Sequence, residues 1–341
     1  MLAQSIAHFL TTKERLALAR CSRHNRTLVE APFAWHNADP ITLKIGDNDL
    51  PSGPLLTFIP IGLVWTASAT PATLATAAST ITALAEHAPV VALHLYLRGV
   101  DQTMDASQLL QVPGLDRLQT LTLWSHTRRQ IELTCKLPLL ATLKLHGPLA
   151  AADASLLSAA PSLTDLTVTE PRPGCWPSVM QCPMLRCLTV LGFGRADLMA
   201  CSQELGAQQL CELSLFAFSQ RGLVFPAEIL ASALPCLRSL LVLRLSGVEL
   251  DSLPPHVHLI PTLRRLIIHC SFFGQSLSCS DVVLLSLRGS PDMSLEWLAA
   301  SSQCAGLESS LQPLVAQAGG RLLRTAEPNG QQARVCLVRD A

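Results

Sequence analysis

Short runs of alternating apolar and polar residues recur along the middle of the chain. The recurring unit is proline, any residue, leucine, any two residues, leucine, any residue and a third aliphatic residue. Copies of it begin at Pro138, Pro161, Pro183, Pro235 and Pro261. The first leucine recurs at intervals of about 22 to 27 residues, a regularity that chance matches in a leucine-rich chain would not give.

Seven copies carry all three aliphatic positions. They are Leu118, Leu121 and Leu123; Leu140, Leu143 and Leu145; Leu163, Leu166 and Val168; Leu185, Leu188 and Val190; Leu210, Leu213 and Leu215; Leu237, Leu240 and Val242; and Leu263, Leu266 and Ile268. Three weaker copies are Ile41, Leu43 and Ile45; Val91, Leu93 and Leu95; and Val282, Leu285 and Leu287.

This spacing predicts a short strand in each copy, because side chains alternate along a strand and the last two aliphatic residues then share one face. One such strand cannot bury its face alone, so neighbouring copies must stack on a continuous core. Helices are predicted between strands at 151–160, 195–205 and 226–233. The fold class is therefore an α/β solenoid, with a curved parallel sheet on the concave side and helices on the convex side.

Over residues 90–288 the pattern resembles the leucine-rich-repeat family. The family motif usually continues to an Asn or Cys that ties neighbouring turns together, and no such ladder is visible in this sequence. The resemblance implies a protein whose work is binding other proteins, while the missing ladder predicts irregular turns.

The first forty residues have a different pattern, with an apolar pair at Phe9 and Leu10 and a helix expected from Lys13. A Cys-Ser-Arg run ends at Arg23, and a Pro-Phe-Ala-Trp segment ends at Trp35. These features resemble an F-box, the helical module that docks on the Skp adaptor of cullin–RING ubiquitin ligases. The resemblance implies adaptor binding through Ile6, Phe9, Leu10, Leu16, Ser22 and Arg23. The alternative is a plain helical cap on the first repeat, which solenoids need in any case.

Residues 51–85 contain no charged side chain, a length that could span a membrane. Prolines at 54, 60 and 71 divide this stretch into a predicted strand, Ile59 to Trp65, and a helix with Thr70 as N-cap and Pro71 at its first position. Leu74, Ala78, Ile81 and Ala85 are expected to share the inner face of that helix.

Beyond Ser294 the repeat pattern fades, and helices are predicted near 295–300 and 307–318. Closing strands are expected at 322–323 and 335–338, around a turn at Pro328-Asn329-Gly330. The predicted domains are an F-box-like segment at 1–40, the solenoid at 41–293 and a C-terminal cap at 294–341.

Composition narrows the range of functions to be expected. Lys and Arg total 25 and so do Asp and Glu, which argues against a general nucleic-acid binder. The 12 cysteines are scattered without a Cys-x-x-Cys pair, and no secretory signal precedes Lys13. We therefore expect a reduced intracellular protein, cytoplasmic or nuclear, that does not enter the membrane.

No catalytic or metal-binding motif emerges. His256 and His258 fit a loop pair better than a metal site, and Cys270 and Cys279 fit buried thiols. Gly192-Phe193-Gly194 lacks the rest of a phosphate loop and more plausibly ends a repeat strand. We expect no enzyme, cofactor or metal.

Residues between the inward leucines should face a partner on the concave side. Aromatic and Arg side chains dominate binding energy in interfaces, so Trp124 and Phe216 are the preferred anchors. The predicted target-binding residues are Trp124, Lys144, His146, Asp165, Glu212, Phe216, Arg264, Arg265 and His269. Two functions remain open: a substrate-recognition subunit of a Skp–cullin–F-box ligase, or a stand-alone binding scaffold whose N-terminal helices only cap the solenoid.

Overall fold

The structure is a computed structural model that describes residues 41–44, 61–68, 71–86, 89–98, 110, 112, 114–125, 136–148, 157–171, 173–192, 209–216, 237–246, 262–269, 294–300, 309, 312–313, 316, 320–326 and 332–339. The chain forms two compact units, Met1–Leu163 and Thr164–Ala341. The predicted helices at 195–205 and 226–233 and the weak copy at Val282 lie outside the described residues. Of the helix predicted at 151–160, the structure describes helical backbone at 157–158.

The first unit is a ladder of parallel strands. These are β1 (Ile41–Lys44), β2 (Ile61–Ser68), β3 (Val90–Arg98), β4 (Thr120–Ser125) and β5 (Thr142–Pro148). Each strand pairs in parallel with the next. The predicted strand positions around 41–45, 91–95, 118–123 and 140–145 are thus confirmed.

Leucines of the first unit are in register across the strands, which explains their spacing. Leu63, Leu93, Leu121 and Leu143 pair in sequence and are fully buried. Each leucine lies against the equivalent leucine of the next strand, so neighbouring strands bury this face against one another. Complete burial of a leucine side chain is worth about 1.5–3 kcal/mol.

Helix α1 (Pro71–Ala85) connects β2 to β3 and begins at the predicted proline. Its buried residues are Ala77, Ile81 and Leu84. The predicted stripe was therefore right at Ile81 and wrong at Ala78 and Ala85, which are half-buried. The inner face is rotated toward Leu84, one residue from the position that the sequence pattern favoured.

The second unit continues with parallel strands: β6 (Asp165–Thr169), β7 (Cys187–Leu191), β8 (Glu212–Phe216), β9 (Val242–Ser246), β10 (Arg265–His269) and β11 (Ser294–Ala300). Neighbouring strands are paired in this order. Between β6 and β7, a 3₁₀ turn (Pro173–Cys175) leads into the short helix α2 (Trp176–Met180), which buries the Trp176 ring. Both units are therefore parallel β-sheet solenoid structures with few helices among the described residues.

The C-terminal segment contains one correction. The sequence predicted a helix near 295–300, but Ser294–Ala300 is strand β11, which pairs in parallel with β10. Leu295 and Leu298 are three residues apart, a spacing that suits a helix, yet Leu295 extends the ladder begun by Leu266. The predicted closing strands are confirmed as β12 (Gly320–Ala326) and β13 (Gln332–Arg339), an antiparallel hairpin whose β13 pairs with β11.

A tight turn precedes several strands, and its geometry explains the repeated proline. The backbone N–H of Leu140 donates to the carbonyl of Leu137, and Leu163 and Leu185 repeat this bond to Ala160 and Cys182. Each of these turns has proline second, where its fixed φ suits the turn. The structure thus gives the proline of the motif a role in chain reversal rather than in the strand.

The copy assigned to Pro235 is out of register with the prediction. The sequence placed Leu237, Leu240 and Val242 at the three aliphatic positions. In the structure Leu240 closes the turn, and Leu243 and Leu245 are the buried strand residues, while Val242 lies on the opposite face. Leu237, Leu240 and Leu243 are spaced by three, so two registers fit the sequence. Pairing of Leu243 with Leu213 shows which one the chain adopts.

Hydroxyl groups tie neighbouring turns together in place of the missing Asn or Cys ladder. Ser162 donates its hydroxyl to the carbonyl of Pro138 at 2.7 Å, both within the first unit. Thr262 Oγ1 lies 2.9 Å from the Leu240 carbonyl and 3.0 Å from the Arg238 carbonyl. Ser162 and Thr262 each follow the proline of their own copy. These hydroxyls satisfy carbonyl groups of the preceding turn, as the Asn or Cys side chains of the family motif would.

Searching the described part of the chain finds no helix long and apolar enough to cross a membrane. Helix α1, at 15 residues, accounts for the second half of the uncharged stretch.

Candidate functional site

The open face of the sheet is the surface on which the predicted binding residues lie. In the first unit, alternate residues of β3, β4 and β5 point away from the leucine ladder. They form rows across the strands, because parallel pairing places equivalent positions side by side. Two of these rows carry aromatic or basic side chains.

The aromatic row consists of Tyr96, Trp124 and His146, one from each strand. The Trp124 and His146 rings are stacked with centroids 4.5 Å apart and planes inclined by 27°. Tyr96 lies on the other side of Trp124, at 6.2 Å and 28°. Trp124 is 39% exposed, one of the few large apolar side chains on the surface of the described residues. Because Trp124 is stacked between the other two rings, the exposed part of its indole is chiefly the ring edge.

The basic row lies two residues earlier on the same strands and consists of His94, Thr122 and Lys144. Thr122 is buried between its two neighbours, and Lys144 is exposed. Burial lowers the pKa of His94 below its usual 6.5, and the positive charge of Lys144 lowers it further. The same two causes, burial first, lower the pKa of His146. Both imidazoles are therefore predominantly neutral at pH 7, and Lys144 supplies the formal charge of these two rows.

In the second unit, the corresponding face carries an acidic frame around a thiol. Asp165, Cys187 and Glu212 are in register on β6, β7 and β8. Thr164 donates its hydroxyl to Asp165 Oδ2 at 2.6 Å. Burial raises the pKa of Cys187 to about 12, with further contributions from a hydrogen bond to Asp165 and from the negative charges of Asp165 and Glu212. This thiol is protonated at neutral pH and is therefore a poor nucleophile.

Glu212 also has a cationic neighbour. Arg244 on β9 places Nε 3.0 Å from Glu212 Oε1. Both side chains are about a third exposed, so water screens the attraction between them.

The structure places the predicted target-binding residues as follows. Trp124, Lys144 and His146 lie together in the first unit. In the second unit, Asp165 and Glu212 flank Cys187, while Phe216, half-buried, ends β8 in register with Ser246. Arg265 begins β10, but Arg264 precedes the strand and is exposed. His269 ends β10 opposite Ser246, and its side chain lies outside the described residues.

Four residues of this face were missed by the sequence analysis: His94, Tyr96, Cys187 and Arg244. The weak copy Val91, Leu93 and Leu95 contains the signal for the first two, since His94 lies between its leucines and Tyr96 follows Leu95. Arg244 was hidden by the register assigned to the Pro235 copy. With Leu243 and Leu245 inward, alternation puts Arg244 on the open face.

The predicted adaptor-binding residues, Ile6, Phe9, Leu10, Leu16, Ser22 and Arg23, lie outside the described residues. So do both histidines of the 256–258 pair. Within the described ranges there is no group of three or more His, Cys, Asp or Glu side chains that could hold a metal ion. Cys175, Cys182, Cys187 and Cys211 are free thiols.

No protein-family model matches the chain, and no curated protein matches it.

Proposed function

We propose that the chain is a leucine-rich-repeat protein that binds another protein through the open face of its sheet. The observation that carries this proposal is the half-exposed Trp124 ring, held between Tyr96 and His146 on an ordered strand. A large aromatic side chain that stays exposed on a rigid surface is typical of an interface anchor. The leucine ladder supports the repeat assignment, because it gives each copy the same buried face.

A photo-crosslinking experiment tests the binding surface. A benzophenone amino acid replaces Thr142 on the open face of β5 or Lys136, which precedes the turn at Leu137, and the full chain is expressed in cells. We expect a discrete cross-linked protein from position 142 and none of it from position 136. The captured protein is then purified, and its Kd is measured against wild type and Trp124→Ala.

Trp124→Ala should weaken binding at least about tenfold, since loss of a hot-spot aromatic costs roughly 2 kcal/mol or more. Leu139→Ala is the matched control, because Leu139 is also a large exposed apolar residue but lies in a turn. Equal affinity of Trp124→Ala and wild type for the captured protein would contradict the proposal.

The finer proposal is that the bound protein is a substrate for ubiquitylation inside the cell. It rests on the resemblance of residues 2–36 to an F-box. In this reading the N-terminal segment binds a Skp adaptor through Phe9 and Leu10, and the sheet holds the target without taking part in catalysis.

Binding of the purified full chain to the Skp adaptor tests this part. Wild type should bind saturably, and a Phe9→Asp/Leu10→Asp variant with an unchanged far-UV spectrum should not. If folded wild type fails to bind, the N-terminal segment is a cap, and the protein is a scaffold that binds partners outside a ligase.

A further inference from the structure

The two rows of the first unit have a fixed spacing. His94, Thr122 and Lys144 are each two residues before Tyr96, Trp124 and His146 on the same strand. Two residues of a parallel strand advance by about 6.6 Å. Lys144 therefore lies about that distance from His146 on its own strand, and Trp124 is diagonal to Lys144 on the neighbouring strand.

Charge on this face has one sign. Lys144 is the one formally charged residue of the two rows, and Arg98, which ends β3 beyond them, carries the same sign. The described acidic residues of the unit lie elsewhere: Glu86 follows α1, and Asp116 is in the 3₁₀ turn Leu115–Arg117. An anionic group above Lys144 thus meets a positive charge without a negative one beside it on these strands.

The kind of cation on this face indicates which anionic group it would bind best. Phosphate groups are typically held by clusters of arginines, whose planar forks bind two oxygens at once. The two rows hold one lysine and no arginine, and Arg98 ends β3 beyond both of them, an arrangement that suits a single carboxylate over Lys144 better. The neutral His146 ring and the Trp124 ring beside it suit an aliphatic or aromatic side chain.

Side chains of an extended peptide repeat their direction every second residue, at the same spacing as the two rows. We propose that this surface binds an extended segment of the partner protein in which an Asp or Glu and a large apolar residue are separated by one residue. The carboxylate lies over Lys144, and the apolar side chain packs on His146 and on the adjoining edge of Trp124. This inference rests on the proposed protein-binding function and specifies the partner segment.

The test uses capped pentapeptides and the full chain. One peptide contains Glu, Thr and Leu in succession, a second replaces Glu with Gln, and a third places Glu and Leu next to each other. Binding is followed by NMR at the imidazole Cε1–H signals of His94 and His146. We expect saturable shifts with the first peptide and at least about tenfold weaker binding of the other two.

Variants show which contacts select the peptide. Lys144→Met should remove the preference for Glu over Gln, and Lys136→Met, an exposed lysine outside the strands, should retain it. Trp124→Ala should weaken both peptides alike. Thermal unfolding of each variant verifies that the fold is intact.

Two results would overturn the inference: no saturable shift with folded wild type, or equal binding of the Glu and Gln peptides. Neither result would remove the proposed function, because the cross-linked partner and its dependence on Trp124 are measured separately. A partner that binds through Trp124 while ignoring Lys144→Met would leave protein binding in place and refute the acidic segment.

Discussion

Arg244 on β9 reaches back to Glu212 on β8, with Nε 3.0 Å from Oε1, although the two residues are not opposite each other in the strand register. Ser214, which is opposite Arg244, is small and buried, and this leaves room for the arginine to lie along the neighbouring strand.

A double-mutant cycle on Arg244→Met and Glu212→Gln measures this pair. We expect a coupling free energy of about 0.2–1 kcal/mol, decreasing as salt is raised, because both side chains are accessible to water. Urea unfolding of wild type, both single variants and the double variant gives the value. Strictly additive effects at low salt would mean that the pair contributes nothing to stability.

Protonation of His94 and His146 should destabilise the first unit. Their pKa values are lower in the folded chain than the usual 6.5, so below that pH the unfolded chain takes up protons first. The free energy of unfolding should therefore fall as pH decreases from 6.5 through the folded pKa values. Groups facing His94 are Val64 on β2, Thr122 on β4 and Lys144 on β5.

Removing the lysine charge isolates one cause of these shifts. Lys144→Met should raise the pKa of both imidazoles, while burial, the larger cause, keeps them below 6.5. NMR titration of the Cε1–H signals measures this, with Lys136→Met as the variant that keeps the charge on the face. Unchanged titration in Lys144→Met would show that its charge does not reach the histidines.

The rate at which Cys187 is alkylated should depend on the carboxylates of Asp165 and Glu212 beside its thiol. At about pH 8 its thiol should react slowly with iodoacetamide, because few molecules carry the thiolate. Asp165→Asn removes one negative charge beside the thiol, so the reaction at Cys187 should become several-fold faster. Cys182 is the internal control, since burial alone raises its pKa to about 11. Peptide-resolved mass spectrometry compares the two rates, and an unchanged ratio would contradict the role of Asp165.

The hydroxyl tie between turns should contribute to stability. Thr262→Val keeps the shape of the side chain and leaves the Leu240 and Arg238 carbonyls without this donor, so we expect a loss of about 1 kcal/mol. Thr262→Ser keeps the hydroxyl and should lose less. Urea unfolding gives both values; an unchanged stability of Thr262→Val would show that the hydroxyl bond contributes nothing.

Strand positions in the middle of the chain were predictable because their burial repeats with the sequence. Leu121, Leu143, Leu166 and Leu188 each have an aliphatic residue two positions later, and that pattern admits one register. Leucines spaced by three, as at Leu237, Leu240 and Leu243, admit two registers, and the neighbouring strand β8 decides between them.

The other features of the fold and the site depend on contacts between distant parts of the sequence, which a local pattern does not show. Leu295 and Leu298 suit a helix when taken alone, but pairing with β10 makes the segment a strand. On the open face, Trp124 was predictable as an anchor from its type and position. Its stacking on His146 and Tyr96 needs the register of three strands, and the thiol framed by Asp165 and Glu212 needs that of three others.

Reversal of strand direction at β13 matters for how copies of the protein meet. A parallel ladder that ended at β11 would present a bare backbone edge matching the direction of every strand before it, and such an edge can template the addition of strands from other molecules. The hairpin instead occupies β11 with an antiparallel partner and leaves β12 outermost among the described strands, with exposed Arg321 and Arg324 along it. Charged residues on an outermost strand are one means by which sheet proteins disfavour the addition of a strand from another copy.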